Sequence, residues 1–171
     1  MAEIQTSQID RLEALLQEQL GCHTRLYMLL EQKREAIRTA DAAQVESVSR
    51  QEHMVLQQVT ELEKQRLLLA GEMTELVDAS RSKPLSVSEI AAYIEPARRD
   101  ELLSLAGGVR EAIVKVQQLS QVIRAAAEAL SAHMAGVLQL VHSAVSQARV
   151  YGRSGRMHVG SSITSSIDVR S

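Results

Sequence analysis

The sequence predicts an all-α protein: an elongated antiparallel helical bundle or coiled coil of three long helices plus one short helix. Three observations carry this. Apolar residues recur in steps of three and four over most of the chain, the spacing of one helix face. Only two prolines, Pro84 and Pro96, and no asparagine are present, whereas strand-rich folds need turn residues at short intervals. Trp and Phe are absent and the only aromatics are Tyr27, Tyr93 and Tyr151. Burial must then come from Leu, Val, Ile, Ala and Met, which build helix seams better than deep pockets.

The first helix is expected over residues 4–38. Its seam reads Ile9, Leu12, Leu16, Gln19, His23, Leu26, Leu30, Lys33, Ile37. A second stripe, Leu15, Cys22 and Leu29, widens the face beyond a two-stranded coil. Thr39-Ala40-Asp41 interrupts the pattern. Asp41 can cap a new helix, with Gln44 three residues on to complete a capping box. That local signal favours a tight turn and an antiparallel hairpin over one long rod.

The second helix, residues 42–79, has the seam Val45, Val48, Glu52, Val55, Val59, Leu62, Arg66, Leu69, Met73, Leu76. Glu52 and Arg66 are its charged members. They read as register markers where the bundle is thin, or as partner contacts. A polar connection through Pro84 follows. Ser86 and Glu89 have capping-box spacing and open a short helix, residues 86–95. Pro96 ends it and sits in the first turn of the next helix.

The last helix is expected over residues 97–150. Its seam is Leu102, Leu105, Val109, Ala112, Val116, Leu119, Ile123, Ala126, Leu130, His133, Val137, Leu140, Ala144. At about 1.5 Å per residue it is roughly 80 Å long, longer than either earlier helix. Part of its apolar stripe should therefore lack an intramolecular partner and need another chain. Gly107-Gly108 inside it is a kink, a close crossing or a break. Residues 1–151 are thus expected to form a single bundle domain, and residues 152–171, rich in Gly, Ser, Thr and Arg, a mobile polar tail.

Charge and chemistry exclude several classes. The net charge of −2 gives no concentrated basic surface for nucleic acid. The stretch after Ser146 carries Arg149, Arg153, Arg156 and Arg170 against Asp168, too spread to make a strong patch. Cys22 is the only cysteine, so no internal disulfide or multi-thiolate site can form. It reads as a small core residue. The start carries Glu3 and Asp10 and has no apolar signal segment. The most apolar stretch, Ala125 to Val145, is broken by Glu128, His133, Gln139 and His142, a poor membrane span. A cytoplasmic protein is expected.

No catalytic constellation stands out. The five histidines, His23, His53, His133, His142 and His158, form neither Glu-x-x-His pairs nor a His-Glu-x-x-His motif. His133 reads as a hydrogen-bonded seam histidine. Gly152-Arg153-Ser154-Gly155-Arg156 precedes no helix and so is no phosphate loop. Glu61, Glu63, Glu72 and Glu75 fall on solvated faces. The polar seam residues His23, Glu52, Arg66 and His133 are the only candidates for an enzyme or metal-binding bundle. No catalytic residue, metal or cofactor is expected.

Three segments resemble the FlgN-type flagellar export chaperones. Leu29-Leu30-Glu31-Gln32-Lys33-Arg34-Glu35-Ala36-Ile37, followed by a break at Asp41, is similar to the family's leucine–acid–Lys/Arg–Glu–Ala segment. Leu62-Glu63-Lys64-Gln65-Arg66 resembles its Leu-Glu-x-x-Arg stretch. Val150-Tyr151-Gly152-Arg153-Ser154-Gly155 looks like the Tyr-Gly-x-x-Gly motif that closes the family's last helix. The resemblance spans essentially the whole chain. It departs at Leu119–Ala125, which lacks the asparagines the family often carries there.

The resemblance implies a non-enzymatic chaperone that binds the C-terminal helices of hook-associated (hook–filament junction) flagellar proteins. It implies that the chaperone prevents their premature association and delivers them to the flagellar type III export apparatus. It also implies that the C-terminal part binds the client. That agrees with the overhang expected from helix lengths, whose stripe is Val137, Leu140, Val141, Ala144, Val145, Ala148 and Tyr151. The alternative is a structural coiled-coil or adaptor protein that acts by self-association, with the same stripe as a homo-oligomer seam.

Overall fold

The computed structural model describes residues 4–150, and side-chain surroundings for residues 4–146. Among the described residues four α-helices are present: α1 (Thr6–Arg38), α2 (Ala42–Val77), α3 (Val87–Ile90) and α4 (Pro96–Val150). A 3-10 turn, Ala91–Tyr93, continues α3. No strand occurs among the described residues. The mobile tail expected at 152–171 lies outside them. The chain divides into two compact units, residues 1–126 and residues 127–171.

In the first unit α1 and α2 form the antiparallel hairpin. The turn between them satisfies the orphan carbonyls at the end of α1. Ala40 N–H donates to Ile37 O at 3.1 Å and Asp41 N–H to Ala36 O at 2.9 Å, the paired bonds of a Schellman ending. Ala40 occupies its left-handed position with φ 55°. Asp41 Oδ1 accepts the Gln44 N–H at 2.9 Å and caps α2. The reciprocal half of the expected box is replaced, because Asp41 N–H is already bound to Ala36 O.

The seam residues face inward as their spacing requires. Leu12, Leu16, Leu69, Met73 and Leu102 form the heart of the main core. Leu26, Leu29, Val48 and Val55 extend it toward the hairpin turn. Leu30, Leu119 and Ile123 close that end.

The connection after α2 contributes more than a polar link. Asp78 Oδ1 accepts from Ser80 N and Oγ at 3.1 and 2.6 Å, an Asx turn that stops the helix at Val77 rather than at residue 79. Leu85, Ile90, Ala91 and Ile94 then enter the main core. Buried Thr74 anchors this segment: its hydroxyl donates to Ala70 O at 2.6 Å and accepts Leu85 N–H at 2.7 Å. Ser86 and Glu89 form the expected capping box. Its bonds, with the Arg81 guanidinium, hold the Glu89 carboxyl down at about 2; the Ser86 N–H contributes most. Pro96 is the first residue of α4, where its missing N–H has no helical partner to lose.

Within this unit α4 runs parallel to α1 in a defined register. Arg98 bonds Asp10, 88 residues earlier, and also Glu13 at 2.8 Å. Gly108 lies against Leu20 with the same offset. Carried forward, that offset sets Arg38, the last residue of α1, level with Ala126. The helix is continuous through Gly107-Gly108. A Cβ on Gly107 would meet nothing within 4 Å, and one on Gly108 would make ordinary contact with Leu20 at 3.7 Å. These glycines neither break the helix nor permit a tight crossing.

Candidate binding surface on the last helix

The seam of α4 is buried or half-buried from Leu102 to Ile123. Beyond it the burial stops. Every residue of the second unit from Ala127 to Ser146 is exposed, although the helix continues to Val150. The exposed side chains are large and apolar: Leu130, Met134, Val137, Leu138, Leu140, Val141 and Val145. Leu140 at 70% and Leu138 at 67% are the most exposed of them. Such a surface exceeds the scattered apolar side chains that any soluble protein shows.

Of the stripe expected from sequence, Val137, Leu140, Val141, Ala144 and Val145 all stand in solvent on one helix. Ala148 lies within α4, but its side chain is outside the described residues, as is Tyr151 altogether. Sequence reasoning passed over Met134 and Leu138, although Val141 and Val145 of the expected stripe share their heptad register. A second heptad register, read beside the first, reveals them.

The polar seam residues have different neighbours. Glu52 is paired with Lys33 Nζ at 2.7 Å. Arg66 binds both oxygens of Glu63, at 2.8 and 2.6 Å, and Gln19 Nε2 donates to the same carboxylate at 3.0 Å. The Arg66 bonds hold the Glu63 carboxyl below its usual range, against its partial burial. His23 is 9% exposed beside this cluster and its Nδ1 has no partner. Burial pushes its pKa down, with Glu63 pulling the other way. Gln19, His23, Glu63 and Arg66 line an open cleft of about 850 Å³ with Leu16, Val59, Val109 and Ile113. Glu52 is spent on Lys33, and His133 stands on the exposed stretch of the second unit. The four are therefore accounted for by hairpin pairing, a polar layer and an exposed seam.

Among the described residues no group of three His, Cys, Asp or Glu could hold a metal ion. Cys22 is half-buried against the core, as expected, and burial raises its thiol pKa above the usual value, with Glu18 adding to the effect. No helix among these residues is long and apolar enough to cross a membrane.

No curated protein and no solved structure matches the chain. A family comparison does: residues 1–158 match the family described as FlgN protein. The match covers the hairpin, the capped connection and all of α4, and with it the chain belongs to the FlgN family of flagellar export chaperones.

Proposed function

We propose that this protein is a cytoplasmic chaperone that binds the C-terminal helical segments of hook-associated proteins at the junction of hook and filament. It keeps them from associating prematurely and delivers them to the flagellar type III export apparatus. The carrying observation is the exposed apolar length of α4 from Ala127 to Ser146.

A helix with this much exposed apolar surface gains stability when a partner covers it. Burying apolar area gains about 25 cal/mol per Å², and an amphipathic client helix is the matching shape. Val137, Leu140, Val141, Ala144 and Val145 supply the contact, with Ala148 and Tyr151 continuing the sequence pattern. The client gains the complementary protection, since its own apolar helix is masked until export. No bond is made or broken in this cycle, so no catalytic group is needed.

The test is titration calorimetry of client C-terminal segments against the full chain and against a chain ending at Leu140. Binding by the full chain alone supports the site. Equal binding by both moves the site toward unit 1. Absence of binding to every segment, together with a mass that rises with concentration, favours the self-associating reading of the same stripe.

A further inference from the structure

The exposed part of α4 is apolar around about half its circumference, more than one partner helix can cover. At about 100° per residue, two interleaved heptad seams run along it. One is Leu130, His133, Val137, Leu140 and Ala144; the other is Ala127, Ser131, Met134, Leu138, Val141 and Val145. Each steps by three and four without a slip, and their centres lie about 100° apart around the helix. Set in the register of the first seam, Leu138 and Val145 occupy positions that point away from a single docked helix. They are 67% and 53% exposed, and one partner helix would leave both in water. Charge narrows the partner further. Glu128 is the only charged residue in Ala127–Ser146, and it lies on the opposite, polar arc with Gln139, Ser143 and Ser146. The facing surfaces must therefore be apolar and uncharged.

We infer, resting on the client-binding reading above, that this segment is the corner helix of a small bundle whose other members come from the client. The partner presents two amphipathic helices side by side, one in each seam, at about the right-angled arrangement of neighbours in a four-helix bundle. The second seam carries Met134, whose flexible thioether adapts to different packing surfaces. The first carries small Ala144, which suits a closer approach, and His133 as its one polar member.

The test uses the full chain and two probes from one hook–filament junction protein: its isolated last helix, and its terminal region containing two helices. Titration calorimetry should show the two-helix probe binding at least 100-fold more tightly. Leu138→Glu and Leu140→Glu, one in each seam, should each weaken that probe at least 10-fold, with helix content by circular dichroism unchanged. For the single-helix probe only one of the two variants should matter. Equal affinity for both probes, or a two-helix complex indifferent to either variant, overturns the inference and leaves the client reading standing. No binding of either probe to the unaltered chain overturns both. A client-free oligomer that both variants dissociate overturns it in favour of copies of this chain filling the seams.

Discussion

Lys33 Nζ donates to Glu52 Oε2 at 2.7 Å across the hairpin, joining a polar seam position of α1 to a polar seam position of α2. Glu52 is 8% exposed and its Oε1 has no partner. The ion pair therefore fixes which residues of the two helices face each other more than it adds stability. Removing one member strands a buried charge, whereas removing both does not. Lys33→Met should cost about 2 kcal/mol. Lys33→Met with Glu52→Leu should return within about 1 kcal/mol of the unaltered protein. Urea denaturation midpoints check this, and additive losses in the double variant would show the pair to be a net stabiliser.

Ala40 holds a left-handed conformation that glycine adopts freely. The L side chain costs about 1–2 kcal/mol there, and glycine returns up to about 1 kcal/mol of that through unfolded-chain entropy. Ala40→Gly should raise stability by about 0.5–1 kcal/mol, read as a higher thermal midpoint. A lower midpoint would mean that the turn is held by something other than its Schellman bonds.

Gly107 and Gly108 lie in the N-terminal part of α4 with room for a methyl group at both positions. Replacing both with alanine should stabilise the helix by about 1–2 kcal/mol. Hydrogen exchange of the flanking amides should slow accordingly. Faster exchange or a loss of stability would restore the kink that the continuous helix argues against.

His23 gives the protein an acid-sensitive layer. Its folded pKa lies below the ordinary 6.5 because burial disfavours the charged ring, despite Glu63. The unfolded chain then takes up the proton first, so stability falls as pH drops below 6.5 toward the folded pKa. Glu63 and Glu89 are depressed carboxyls. Their contribution is present above about 4.5 and is lost as pH falls below it, for Glu89 down to about 2. His23→Gln should flatten the upper part of the stability profile and leave the carboxylate part. An unchanged slope just below pH 6.5 would assign it to another group.

The residues differ in how far they could be read from sequence. The seams of α1 and α2, the Asp41 cap, the Ser86–Glu89 box and the Pro96 start depend on spacings within one turn, and periodicity exposes them directly. The Thr74–Leu85 bond joins residues 11 apart through a side chain that looks like any other polar helix residue. The left-handed Ala40 carries no glycine signal. Gly107-Gly108 looked like a possible break, yet a long apolar seam on both sides keeps the helix intact. The unpartnered stretch of α4 followed from comparing helix lengths. Its width followed only in part: Val141 and Val145 stand in the expected stripe, whereas Met134 and Leu138, earlier in the same heptad register, do not.

The central claim is that the exposed stripe of α4 binds the client, and one measurement addresses it most directly. Titrate the C-terminal helical segment of a hook–filament junction protein into the full chain and into the Leu140→Glu, Ala144→Glu variant, with circular dichroism on both. Two charges placed in an apolar contact should weaken binding by about 100-fold or more while helix content stays the same. Unchanged affinity in a folded variant would contradict the account.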